Sequence, residues 1–406
     1  MVLGYLLSRY PQLSETFILR EMAELRRQGH QLVIAPLLRA QPPRSHAATA
    51  ALADAVAFEP WLSRRQVAWH CRQFAAAPAA YLRRAAQVVA SHSGEANALA
   101  GAVLFWPKLG AIAARFRATG VEHIHAHFAT HPALAAWVIH QWTGIPFSFT
   151  AHAHDIFAHR AGLGPKARAA ALVITISDFN RRWLLDRCPG LAPGRVAVVH
   201  CGIRSAAYAQ PPVAAADGQL RLLTVASLQP YKGHAVLLAA CARLRGRLDY
   251  TLRLVGDGPL RAALARRIAE LGIGGLVRLR GAATEDEVRE ELRRADVLVL
   301  PSVREPSGKM DGLPVALMEA MAAGLPVLAG DLAGIRELVQ PEVNGLLFRP
   351  GDDAALAAAI LRLRSPQRRS EWGRAGCAAI RREYELADTA RQLAAHFAAA
   401  ARPAGA

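Results

Sequence analysis

The stretch that most constrains the fold of this 406-residue chain runs from Ala295 to Ala329. Ala295-Asp-Val-Leu-Val-Leu-Pro301 is a short apolar run stopped by a proline, the pattern of a buried parallel strand. Pro314 marks the first position of a helix, where its missing N–H costs nothing. Gly324 suits the left-handed position just past the end of that helix. Leu325-Pro-Val-Leu-Ala329 then returns as another strand. This β–loop–α–β unit predicts an α/β fold around a parallel sheet. Asp311 precedes the helix and Glu319 lies inside it. Between them the free N–H groups of the first turn favour an anion. Two acids flanking a phosphate-ready helix start suit a nucleotide sugar. The plainer reading is a helix-dipole acid and an exposed glutamate, each worth about 0.3–1 kcal/mol.

The length predicts two domains of roughly 200 residues, with a boundary at 210/211 and a linker over Pro211–Gly218. No run reaches the ~18–20 apolar residues of a spanning helix, and Ala98–Phe105 is too short. Met1 opens on strand-like residues, so no signal peptide is expected. Cys71, Cys188, Cys201, Cys241 and Cys377 are dispersed, which fits a reducing cytoplasm and argues against structural zinc. The formal charge of +17 attracts phosphates, polyanions or anionic lipid. Nucleic acid is not favoured as a partner, because no platform of stacking aromatics accompanies the basic residues. Where arginine dominates, the retained Lys108, Lys166, Lys232 and Lys309 can mark places that need a compact ammonium, Lys232 above all.

In the first half, Val2–Leu7 reads as a strand and Phe17–Gln28 as a helix with Ser14 or Thr16 as its cap. Gln31–Leu37 is the next strand, and this β–α–β start predicts a doubly wound sheet. Residues 41–100 read as a solvated helical insert. The rival reading is shallow insertion of Trp61, Trp69, Phe74 and Tyr81, among their arginines, into an anionic membrane surface. His123, His125 and His127 share one face of a strand. Three imidazoles raise the question of a metal, but without an added carboxylate the signal is weak and none is expected. Ser177 is an N-cap for the helix from Asp178. In the second half, Lys232-Gly233 leads from a strand into a helix. Gly256 and Gly258 allow backbone and ligand to approach closely, and Gly281 ends a further strand.

Read together, these strings resemble retaining glycosyltransferase family 4, the glycosyl transferases group 1. The likeness rests on Asp311 to Glu319 with its flanking GLPVALMEAMAAGLPV, on Lys232-Gly233 and on Gly256-Asp-Gly-Pro259. In the first half it rests on His125-Ala-His-Phe128, on Thr150–Asp155 and on His200–Ile203. Ser-Glu-Thr-Phe-Ile18 is similar to members of the exopolysaccharide, colanic-acid-type branch. The chain departs from the family pattern at Asp311 (usually Glu), Ala153 (usually Gly) and Ser227 (often Arg). The shorter Asp311 reaches about one bond less, and without the arginine Lys232 is the one cation assigned to the diphosphate, so that either another arginine serves or the backbone carries more.

The resemblance implies a GT-B architecture: two Rossmann-like doubly wound domains facing a cleft, over residues 1–210 and 211–375. A helix over 376–406 would cross back to the first domain and end in a disordered tail. It implies a retaining, metal-independent hexosyltransferase with no cofactor beyond its nucleoside diphosphate sugar. His152, Asp311 and Glu319 are the catalytic candidates, with Glu319 on the ribose. Ser14, Glu15, His127, Asp155, Lys232, Gly256, Gly258, Gly281, Gly312, Leu313, Pro314 and Val315 would bind substrate. The acceptor would be a lipid-linked saccharide for a cell-surface polysaccharide, reached from the cytoplasm at the inner face of an anionic membrane. Rival readings are a nucleotide-sugar isomerase and a non-catalytic nucleotide-sugar-binding protein. An oxidoreductase is disfavoured, since no GxGxxG opens the first β–α turn.

Overall fold

The structure is a computed structural model that describes residues 1–42, 44, 46–209 and 218–401. The expected linker falls outside the described residues except for Gly218, as does the tail from Arg402. The chain divides into two compact units, residues 1–200 with the segment from Thr389 onward, and Cys201–Asp388. The division therefore comes at 200/201 and not at 210/211. The helix Pro366–Glu383 belongs to the second unit, and the segment that rejoins the first begins at 389 and not at 376.

The first unit is built on β1 (Val2–Tyr10), β2 (Gln31–Arg39), β3 (His123–His127), β4 (Phe147–Ala151), β5 (Leu172–Thr175) and β6 (Val196–Val198). Their spatial order is β2-β1-β3-β4-β5-β6, and every pairing is parallel. Such a sheet needs helices on both faces, which is why all five residues of β3 and of β4 are buried. One face packs Leu3, Tyr5, Ile18, Met22 and Ile34 with Leu393 and Phe397 from the C-terminal helix Leu386–Ala401. Burying a side chain such as Phe397 contributes about 1.5–3 kcal/mol to holding that helix here.

The second unit carries β7 (Leu220–Val225), β8 (Tyr250–Val255), β9 (Val277–Gly281), β10 (Val297–Leu300), β11 (Val327–Gly330) and β12 (Gly345–Phe348). The order is β12-β11-β10-β7-β8-β9, again all parallel. Each sheet reverses its winding once, between β1 and β3 in the first and between β7 and β10 in the second. In doubly wound sheets ligands bind past the carboxyl ends of the strands at that reversal.

Three expectations change. Pro314 is the N-cap, with φ −70° and ψ 120°, and the helix runs Val315–Ala322, because the extended ψ of a capping residue precedes the first helical one. Neither Ser14 nor Thr16 caps the helix Thr16–Arg27. The N-cap is Glu15, whose carbonyl accepts from Ile18 N while its side chain makes no capping bond. Finally, Ala96–Ala118 is one continuous helix, long and apolar enough to cross a membrane by length and composition alone. Half of its most apolar window is buried in the first unit, and Lys108 inside it donates to Leu37 O at 2.6 Å. A half-buried helix that ties down a neighbouring strand is packed as part of the first unit.

Candidate functional site

The second unit places its polar groups at the β7/β10 reversal. The loop after β7 ends in a short turn, Pro230–Lys232, and Gly233 with φ +67°. A Cβ on Gly233 would lie 1.8 Å from Pro301 O, so only glycine lets this loop meet the one after β10. Val303 N donates to Tyr231 O at 2.8 Å and joins the two loops. This brings Lys232 Nζ to 2.6 Å from Asp311 Oδ1, while the buried Ser302 hydroxyl donates to Asp311 Oδ2. Burial works against the Lys232 charge. Asp311 and Tyr231 more than offset it, and the pKa of the amine is raised. Lys309 and Lys232 both lie over the Tyr231 ring, at 4.6 Å and 5.0 Å.

Just beyond Asp311 the first turn of Val315–Ala322 begins, where backbone N–H groups have no partner within the helix. Gly312 O packs against Gly334, where a Cβ would stand only 2.3 Å away. Leu313 is buried beside it. Glu319 is 6% exposed and accepts the buried Tyr208 hydroxyl at Oε1, 3.1 Å away. Gly256 N donates to Gly281 O, and a Cβ on Gly256 would meet Ala226 O at 1.9 Å. A Cβ on Gly258 would lie 2.7 Å from Leu228 O. These glycines draw the ends of β7, β8 and β9 together on one side of the loop that carries Lys232.

In the first unit the β1/β3 reversal sets the loop before Thr16–Arg27 beside the end of β3. Glu15 is mostly buried there, and burial pushes its pKa up to about 7 against the opposing pull of His127. Phe128 follows β3 with φ +75°, a strained conformation for a side chain of this size. Two bonds hold it: Phe128 N to Thr150 O, and Ala129 N to Asp155 Oδ2. Asp155 Oδ1 also accepts from His152 N and Ala153 N, at 3.0 and 2.8 Å. His152 is nearly buried. Burial, then His127 and His154, push its pKa well below the usual histidine value.

Glu21, His125 and His127 offer ligand atoms within 4.8 Å of one another, the spacing of a metal site among the described residues. Every ring nitrogen of the two histidines already has a protein partner, however. His125 meets Ser148 and Thr150, and His127 meets His152 and Glu21. An incoming ion would have to displace those bonds.

The family described as Glycosyl transferases group 1 matches residues 219–365. The amylovoran biosynthesis glycosyltransferase AmsK of Erwinia amylovora is 44% identical over 147 residues, 36% of each chain. The putative colanic acid biosynthesis glycosyltransferase WcaL of Escherichia coli is 35% identical over 192 residues, 47% of each chain. The chain thus spans between a third and a half of the length of these curated relatives. A D-inositol 3-phosphate glycosyltransferase of Frankia alni is 32% identical over 284 residues, 61% of this chain and 67% of that one. The chain belongs to the glycosyl transferases group 1 family. The solved structure of Anabaena HepE in complex with UDP superimposes over 98% of this chain and 100% of that one. Its TM-score is 0.71 at 17% identity, a likeness of fold. The two doubly wound units are those of the GT-B fold.

In this member of the glycosyl transferases group 1, the structure brings Lys232, Asp311 and the start of Val315–Ala322 together within the second unit. It also brings Glu15, His127 and His152 together within the first. One residue expected to contact substrate is engaged elsewhere. Asp155 is fully buried, with both carboxylate oxygens taken by backbone N–H groups, so it frames the His152 turn and does not face a ligand. Ser14 is exposed, and its side chain makes no hydrogen bond among the described residues. Sequence reading missed Ser302, Tyr208, Lys309 and Glu21. Only Lys309 carried a signal, as one of four lysines in an arginine-rich chain.

Proposed function

We propose that this protein transfers a hexose from a nucleoside diphosphate sugar to a lipid-linked saccharide in exopolysaccharide synthesis, with retention and without a metal. The observation that carries the reading is the meeting of Lys232, Asp311 and the amino end of Val315–Ala322 at the β7/β10 reversal. A diphosphate there would meet an ammonium and the N–H groups of Gly312, Leu313 and Val315, with Pro314 donating none. Lys309, which also lies over the Tyr231 ring, supplies the second cation that Ser227 leaves out. Glu319 would take the ribose hydroxyls. Stabilising the leaving diphosphate in this way is worth a few kcal/mol per donor. Gly256, Gly258 and Gly281 would border the base. The relatives' names favour exopolysaccharide assembly, and HepE binding UDP favours a uridine donor.

The acceptor reading includes a peripheral place on the cytoplasmic face of an anionic membrane. Trp61, Leu62, Val67, Phe74, Leu82, Val89, Val103 and Leu104 are exposed within one 44-residue stretch that also exposes Arg64, Arg65, Arg72 and Arg83. Apolar anchors among arginines suit a negative lipid surface.

The test is a mass-spectrometric screen of uridine, guanosine and thymidine diphosphate hexoses with polyprenyl-linked saccharides. Transfer with nucleotide release is expected, and Glu319→Ala should lose most of it. Binding without turnover, or full activity in Glu319→Ala, would overturn the assignment. Vesicles of phosphatidylglycerol should retain the protein, and phosphatidylcholine should not.

A further inference from the structure

A chain of polar groups leads to His152 that the readings above leave without a task. Tyr5, on β1, donates its hydroxyl to Glu21 Oε1 at 2.8 Å. Burial and Glu21 raise the Tyr5 pKa far above neutrality, so the phenol keeps its proton. The same Oε1 lies 3.0 Å from His127 Nε2, and His127 Nδ1 lies 3.2 Å from His152 Nε2.

The protons follow by elimination. An oxygen that accepts from a phenol is also an acceptor toward the imidazole, so a His127 with one proton carries it on Nε2. Its Nδ1 is then a lone pair, and His152 must donate from Nε2. That leaves His152 Nδ1 bare. The ring has little freedom to turn away. The His152 N–H is held by Asp155, its carbonyl accepts from Asn180 Nδ2, and Phe17 and Phe128 lie 4.9 and 4.8 Å from its centre. Nδ1 makes no hydrogen bond among the described residues. It is also absent from the sealed, unpartnered nitrogens, which include those of His92, His123 and His131.

We infer that Glu21 is a positioning residue that fixes His152 as a hydrogen-bond acceptor at Nδ1, so that this nitrogen takes a sugar hydroxyl and not a phosphate oxygen. A hydroxyl has a proton to give, whereas an ionised phosphate has none. The hydroxyl half of the inference rests on the donor-sugar reading of His152. The tautomer half does not.

Long-range proton–nitrogen spectra of the full chain labelled at histidine test the tautomer, with His152→Asn assigning the resonances. The unmodified protein should show His152 Nδ1 as an unprotonated nitrogen. Glu21→Leu should move that signal toward the protonated range and leave the His200 signals in place. Should Glu21→Leu fail to fold, Glu21→Gln, which keeps an acceptor oxygen, should preserve the bare nitrogen. A protonated Nδ1 in the unmodified protein, or one unmoved by Glu21→Leu, overturns the inference. Calorimetry tests the ligand: Glu21→Leu should weaken uridine or guanosine diphosphate hexoses roughly tenfold, the worth of one lost hydrogen bond. It should leave UDP and GDP unchanged. Equal weakening of both overturns the hydroxyl assignment. If the unmodified protein binds none of the four, the donor reading falls along with the hydroxyl, and the spectra alone judge Glu21.

Discussion

Lys232 Nζ lies 2.6 Å from Asp311 Oδ1, so the cation proposed for the diphosphate is engaged by the acid proposed for the donor sugar. Both side chains are only about one-tenth exposed, at 14% and 11%. Asp311→Asn would strip a largely buried ammonium of its counter-charge, a change that costs about 3 kcal/mol. A lower urea midpoint is expected. A nucleoside diphosphate can replace the lost charge, so saturating UDP or GDP should raise the midpoint of Asp311→Asn more than that of the unmodified protein. Equal shifts in the two proteins would separate Lys232 from the phosphate.

Tyr208 reaches Glu319 from the short turn Ser205–Tyr208, and its hydroxyl uses one of the carboxylate's lone pairs. If that bond aims Glu319 at a ribose, Tyr208→Phe should weaken nucleoside diphosphate binding by about 1 kcal/mol, roughly fivefold. The loss should vanish for 2′,3′-dideoxy nucleotides, which have no hydroxyl to grip. Isothermal titration with both ligands gives the answer. Tighter binding in Tyr208→Phe would mean that the phenol competes with the ribose.

The sequence carried the sheets well because parallel strands buried on both faces tend to be continuous apolar runs, as Val297–Leu300 and Val327–Gly330 are. It marked Gly256 for a close approach to ligand, where the structure has the backbone of Ala226, and it gave no reason for Gly233, which meets Pro301 O. It could not carry pairings that depend on which loops meet. Tyr208 and Glu319 are 111 residues apart, and Glu21 and His127 are 106 apart. Nor could it sort the lysines. Lys108 and Lys166 donate to the carbonyls of Leu37 and Ala161, whereas Lys232 and Lys309 both lie over the Tyr231 ring. Asp155 was expected to meet substrate, whereas its oxygens accept backbone N–H groups; a strand-end acid looks the same in sequence whether it faces ligand or backbone.

The first unit should be acid-sensitive. Burial lowers His123 to about 3. Burial, with Lys166 and His131, lowers His92 to about 4, and His125 and His152 are lowered as well. These groups stay neutral when folded and take up protons when unfolded near pH 6.5. Their contribution is present above that pH and is lost as pH falls through the folded values. Glu15 runs the other way. Raised to about 7, it contributes below pH 4.5, and the contribution is lost as pH rises through 7. Four histidines outweigh one carboxyl, so the melting temperature should fall between pH 6.5 and 4. Glu15→Gln should steepen that fall and raise the melting temperature at pH 8. A flat profile over this range would contradict the buried, neutral histidines.

Two glycines with the same backbone twist separate strain from contact. Gly233 (φ +67°) and Gly324 (φ +76°) are both left-handed, and either one as alanine pays roughly 1–2 kcal/mol for the conformation. Around Gly324 nothing lies within 4 Å of an added Cβ, whereas at Gly233 the Cβ would lie 1.8 Å from Pro301 O. Gly324→Ala should therefore lose only the conformational term and keep its affinity for a nucleoside diphosphate. Gly233→Ala must also push the Tyr231–Lys232 turn off the loop after β10, breaking the bond from Val303 N to Tyr231 O and moving Lys232 from Asp311. Its expected signature is a larger drop in melting temperature together with loss of UDP or GDP binding. If Gly233→Ala binds as Gly324→Ala does, the packed junction of these two loops is not what places the lysine.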